Sequence, residues 1–102
     1  MEIKLTKENS AEVLAKSGLI LIDFYATWCG PCKMLSPLVE KLSNERADIT
    51  VCIADVDEYT ELAVRHGVEV IPTLLVMENG EVLRKTTGYM SYEQLEAFVD
   101  GK

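Results

Sequence analysis

The chain has 102 residues, 48% of them hydrophobic and 26% charged, and a net charge of −7. That balance is expected of one globular domain spanning residues 1–102 around a single core, and excludes a disordered or fibrous chain. The acidic excess argues against nucleic acid, whose phosphates need Lys and Arg, and against anionic membrane surfaces; it points to proteins or small molecules as partners.

Met1 to Lys7 shows no apolar stretch of signal-peptide length, and nowhere do about 18 uncharged apolar residues run together. The expectation is an untargeted, soluble chain with no membrane span. Three cysteines are too few and too odd in number for a secreted disulfide framework, so a reducing cytoplasm fits them better.

In chain order, Ala11, Val13, Leu14 and Ala15 predict a first short helix over Asn9 to Lys16, closed at Gly18. Leu19 to Ala26 is a near-continuous apolar run, as in a central strand covered on both faces. From Cys32, the apolar positions Met34, Leu35, Leu38, Val39 and Leu42 recur at helical spacing and predict a second helix to about Arg46, kinked at Pro37. Ile49 to Ala54 reads as a second buried strand, and Leu62, Ala63 and His66 before Gly67 read as a third helix. Thr73 to Met77 and Val82 to Thr86 flank Asn79-Gly80, a strong hairpin signal. Ser91 with Gln94 forms a capping box, and Leu95, Phe98 and Val99 give a closing helix its apolar face. The fold class is therefore α/β at first and α+β at the end: one central mixed sheet with helices on both faces.

Trp28-Cys29-Gly30-Pro31-Cys32-Lys33 carries the chemistry. Two cysteines three apart, where a strand hands over to a helix, lie within reach of a disulfide. The loop so closed is tiny, and a bridge across it adds little stability, so its use is chemical. Cys29 falls at the helix mouth, where unpaired N–H groups and the helix dipole favour a thiolate; Cys32, one turn in, is expected to be more enclosed and less ionised, suited to resolving a mixed disulfide. Gly30 permits close approach of another chain, and Pro31 suits a first helical turn. A Cys-x-x-Cys pair is also half of a zinc centre, but Cys52 and the single His66 are the only other candidate ligands, and closed sites need four; no metal is expected. Asp23 is the one charge inside an apolar strand and is costly to bury ionised; proton transfer and a backbone-bonded strand end are both open readings of it. Trp28, an aromatic beside a reactive cysteine and outside any periodic stripe, fits an exposed docking face. Cys52 reads as a small buried hydrophobe, with a regulatory thiol as the alternative. Lys33 either raises the thiolate fraction or stays solvated.

Nearly end to end, the chain resembles the thioredoxin family. The resemblance rests on Trp28 to Lys33, on Phe24-Tyr25-Ala26 before them, on Pro37, on Ile71-Pro72-Thr73, on Asn79-Gly80 and on Gly88, all in the family's order. It implies the thioredoxin fold and a dithiol that reduces disulfides in target proteins, with a flavin-containing, NADPH-dependent thioredoxin reductase as electron donor and no bound cofactor. It also implies that Asp23 lies beneath the cysteine pair and relays a proton to or from Cys32. Pro72, by the same resemblance, is cis and packs against the pair, leaving Ile71 with free backbone groups for an extended substrate strand. Val70, Ile71, Thr87 and Gly88, with Trp28, Gly30, Pro31 and Pro72, then form the substrate surface of a monomer. One departure stands out: where many members carry a lysine near the buried aspartate, this chain has Ile53. A binding or scaffold subunit with an incidental dithiol is the rival reading; an oxidase or isomerase is a third, against which Gly30-Pro31 resembles the reducing members.

Overall fold

A computed structural model describes residues 1–102. The elements are β1 (Ile3–Lys4), α1 (Ser10–Leu14), β2 (Leu19–Tyr25), α2 (Gly30–Glu45), β3 (Thr50–Asp55), α3 (Thr60–Arg65), β4 (Thr73–Glu78), β5 (Glu81–Thr87) and α4 (Tyr92–Asp100). They build one five-stranded sheet in the order β1-β3-β2-β4-β5. β1, β3 and β2 run parallel, and β4 and β5 are antiparallel to their neighbours, so the sheet is mixed as expected.

Strand alternation sorts the core into two layers. Ile20, Ile22 and Phe24 of β2 pack with Val13, Leu62 and Ala63 on the face covered by α1 and α3. Leu21, on the opposite face, joins Leu35, Val39, Leu42, Leu95 and Val99 under α2 and α4. β2 is buried on both sides because both helical layers press on it, which is why it reads as an unbroken apolar run.

Some boundaries depart from expectation. β1 is not predicted at all: two residues show no periodicity, and the strand exists through its pairing with Cys52 and Ile53. The first helix stops at Leu14, because the chain tightens there and the Lys16 N–H bonds the Val13 carbonyl at 3.2 Å; Gly18, at φ +84°, lies beyond it. α2 begins two residues earlier than expected, at Gly30, and runs on through Pro37 to Glu45. The hairpin turn is only Asn79-Gly80, both at positive φ (53° and 82°), the conformation that this dipeptide favours. Ser91 and Gln94 exchange the two capping hydrogen bonds at 2.9 and 3.2 Å.

β5 is an edge strand that grips both layers. Arg84 donates to the Phe98 and Val99 carbonyls at the end of α4. The next residue, Lys85, donates to the His66 and Gly67 carbonyls after α3. Between Arg84 and Val82, Leu83 drops out of the pairing with β4 as a bulge. No helix is long and apolar enough to cross a membrane.

Candidate active site

The turn between β2 and α2 brings the two motif cysteines together. Cys29 is the N-cap of α2, with extended backbone (φ −89°, ψ 114°), and Pro31 occupies the first turn, where its missing N–H has no helical partner to lose. Cys29 and Cys32 are joined by a disulfide, with Cα atoms 5.3 Å apart. The Cys32 backbone N–H donates to Cys29 Sγ at 3.2 Å. One of the four orphan donors of the helix start therefore points at that sulfur, and a charge placed there is stabilised by the N–H and by the helix dipole.

Cys32 is expected to be the more enclosed of the two, and the difference is small. Cys29 is 5% exposed and Cys32 3%. Ile71 packs against the pair, its carbonyl oxygen 3.8 Å from Cys29 Sγ, and Tyr25 and Val56 complete the cover. The asymmetry between the sulfurs lies in the hydrogen bond to Cys29 rather than in its accessibility. Beside Cys32, a pocket of about 300 Å³ is lined by Tyr25, Ala26, Thr27, Lys33 and Ser36.

Asp23 lies in mid-strand, paired with Ile53 on one side and Leu74 on the other, and is 3% exposed. Its Oδ1 has no hydrogen-bond partner. Burial among apolar neighbours penalises the carboxylate and, with a smaller contribution from the charge of Glu2, pushes its pKa up to about 7. The backbone-bonded strand end does not describe this residue. Near neutral pH its carboxyl is therefore divided between the protonated and ionised forms.

Around the sulfurs the substrate-surface residues gather unevenly. The Ile71–Pro72 peptide is cis, and Pro72 is buried. Neither the N–H nor the C=O of Ile71 enters a backbone hydrogen bond. The Val70 carbonyl is already taken by the Thr73 hydroxyl, and the Gly88 N–H by the Pro72 carbonyl. Thr87 pairs with Thr73 at the end of β5 and is exposed, as are Gly30, Pro31 and Val70. Trp28 is 69% exposed, and its indole N–H donates to Asp57 Oδ2 at 2.8 Å.

A family model described as Thioredoxin matches residues 1–101. The chain belongs to the thioredoxin family. It is 41% identical over 101 residues to a thioredoxin of Bacillus subtilis, covering 98% of this chain and 97% of that one. To a thioredoxin of Listeria monocytogenes it is 38% identical over 99 residues, with 96% of each chain covered. A solved mutant thioredoxin from Halobacterium salinarum superposes with a TM-score of 0.89 at 35% identity, covering 98% of this chain and 88% of that one. Family membership and a cysteine pair closed at a helix start make this thioredoxin a thiol-disulfide oxidoreductase, a protein-disulfide reductase acting on disulfide-containing proteins. A scaffold role with an idle dithiol is not favoured.

Three residues of the site escape sequence reasoning. Asp57 holds the Trp28 ring, yet inside Asp55-Val56-Asp57-Glu58 it looks like one more solvated acid. Thr73 removes the Val70 carbonyl from use. Glu2 adds its charge to Asp23 from the residue before β1, a strand too short to predict.

Proposed function

We propose that in this thioredoxin Cys29 is the attacking thiolate, Cys32 the resolving thiol and Asp23 the proton carrier between them. The 3.2 Å hydrogen bond from the Cys32 N–H to Cys29 Sγ carries the assignment, because it stabilises an anion on Cys29 alone. The Cys29 thiolate attacks a target disulfide; the target S–S bond breaks, a Cys29–target bond forms, and one target thiolate leaves and is protonated by solvent. Cys32 then passes its proton to the Asp23 carboxylate and attacks Cys29 Sγ. The Cys29–Cys32 bond closes, and the second target sulfur leaves as a thiol, taking a proton released from Asp23. A carboxyl with a pKa of about 7 is matched to taking and returning a proton at neutral pH.

Trp28, Gly30, Pro31 and Val70 supply the exposed floor for the substrate, with Thr87 and Gly88 at its edge. The N–H and C=O of Ile71, which no backbone partner uses, bond an extended target strand beside Pro72. The chain acts as a single domain and a monomer in the cytoplasm, within cellular electron transport, and a flavin-containing, NADPH-dependent thioredoxin reductase returns its disulfide to the dithiol.

Insulin reduction with dithiothreitol as electron source tests the whole scheme, and the cysteine variants test the roles. The parent accelerates insulin reduction over dithiothreitol alone. Cys32→Ser accumulates covalent complexes with target proteins, whereas Cys29→Ser forms none. Complexes formed by the Cys29 variant instead would reverse the two roles.

A further inference from the structure

Two buried side-chain oxygens in the molecule lack a hydrogen-bond partner, and both belong to carboxyls: Asp23 Oδ1 and Glu2 Oε2. Buried polar atoms are nearly always paired, so two such exceptions call for an explanation. They occupy one side of the sheet. Asp23 alternates with Leu21 on the face under α2, and Lys4 and Asp23 are both cross-strand partners of Ile53. Glu2, just before β1, lies on this side too. It lines an open cleft of about 280 Å³ with Met1, Glu40, Ser43 and Asn44, so α2 covers it as well.

At the level of Asp23, β3 offers Ile53 and β4 offers Leu74, and Lys4, in the same phase on β1, commits its amine to Glu58 at 2.7 Å. The charged group that bears on Asp23 is Glu2, and Asp23 in turn bears on the Tyr25 hydroxyl. Glu2 is itself held above the usual carboxylate range, first by burial and then by Glu40 on α2, against a smaller opposing pull from the Met1 amine. Resting on the reading of Asp23 as proton carrier, we propose that Glu2 is a positioning residue for the thiol-disulfide step. Its negative charge, on Asp23's side of the sheet where Lys4 is committed to Glu58, adjusts how readily Asp23 takes up and returns the proton of Cys32.

Carboxyl ¹³C NMR titration of the intact, oxidised protein reads the coupling without reference to activity. The Asp23 midpoint, about 7 in the parent, falls by about half a pH unit or more in Glu2→Gln. That is the size expected of one charge acting without direct contact at an effective dielectric of about 20 to 40. Glu2→Lys lowers it further, and Glu2→Asp, which keeps the charge, restores most of the parent value. The acid limb of insulin reduction moves down with the midpoint in Glu2→Gln, and this movement vanishes when Asp23→Asn is also present. An Asp23 midpoint unmoved in both the Gln and the Lys variants overturns the proposal. A midpoint that moves while turnover does not also overturns it, and lays the failure on the role of Asp23 in the proton step and not on its coupling to Glu2.

Discussion

Neighbouring strands β2 and β3 each carry one buried aspartate, and each serves one cysteine site, but they treat these groups differently. In β3, Asp55 Oδ1 accepts from the backbone N–H groups of Asp57 and Glu58 at 2.8 and 3.3 Å, fixing the turn into α3. In β2, Asp23 Oδ1 accepts from nothing. Cys52 lies flat in the core of β3, wholly buried, and burial pushes its thiol up to about 12. Cys29 lies beyond the end of β2, where a helix N-terminus turns a backbone donor toward its sulfur. Identical residue types are thus made structural or reactive by whether backbone donors reach them. The strand that leaves its acid unsatisfied is the one whose end carries the chemistry.

Alkylation of the reduced, folded protein exposes the largest difference. A thiol moved from 9.0 to about 12 carries about a thousandth of the thiolate at neutral pH. Cys52 is therefore expected to react at least about a thousandfold more slowly than Cys29, and Cys52→Ala to leave insulin reduction unchanged. Mass spectrometry of the labelled peptides checks the first expectation; Cys52 labelling at a rate near that of Cys29 would erase the contrast.

Stability separates the two aspartates next, and with opposite sign. Asp23 has a folded pKa of about 7, above the unfolded reference of about 3.9. As pH rises between those values the unfolded state loses its proton first, so the native state loses stability until both are ionised. Asp23→Asn escapes that loss. Relative to the parent it gains stability from acid to neutral pH, by up to about 4 kcal/mol at about 1.4 kcal/mol per pH unit, while its turnover drops. Asp55→Ala strips two N–H groups of their acceptor and is expected to cost about 1 to 3 kcal/mol at neutral pH. Denaturant unfolding at pH 4 and pH 8 measures both. An Asp23→Asn variant that is destabilised at pH 8 would make Asp23 a structural anchor like its neighbour.

The smallest effect is expected where the two regions meet. Asp57, just past β3, holds the indole of Trp28, just past β2. Asp57→Ala removes one exposed hydrogen bond and should raise KM for insulin about two- to tenfold, with kcat little changed. A fall in kcat at constant KM would place Trp28 in the chemistry and not in docking.

The legible part of this molecule is the part whose signal is local. β2, β3, the β4–β5 hairpin and the capping box of α4 can be read from runs, turns and spacing, and the Cys29–Cys32 bridge from two residues at helical distance. β1 cannot, since Ile3 and Lys4 become a strand only against Cys52 and Ile53. The near-equal burial of the two cysteines is hidden too, because Ile71, distant in sequence, arrives from the loop before β4. Asp57 and Glu2 look like surface acids until the fold sets one against Trp28 and the other on Asp23's side of the sheet. The cis Ile71–Pro72 bond is legible only through the family resemblance, since the isomer depends on surroundings that the dipeptide does not contain.

The grip of β5 on both helical layers bears on solubility. An edge strand presents a row of unsatisfied backbone groups, a template on which a stray chain can assemble and seed aggregates. Here that row is interrupted at Leu83 and flanked by the fixed charges of Arg84 and Lys85, each anchored to the end of a helix on its own face. Under the proposed docking of target strands on the backbone of Ile71, such a guard has a particular use. On that proposal the molecule welcomes an extended partner at the cysteine corner and refuses one along the nearby edge.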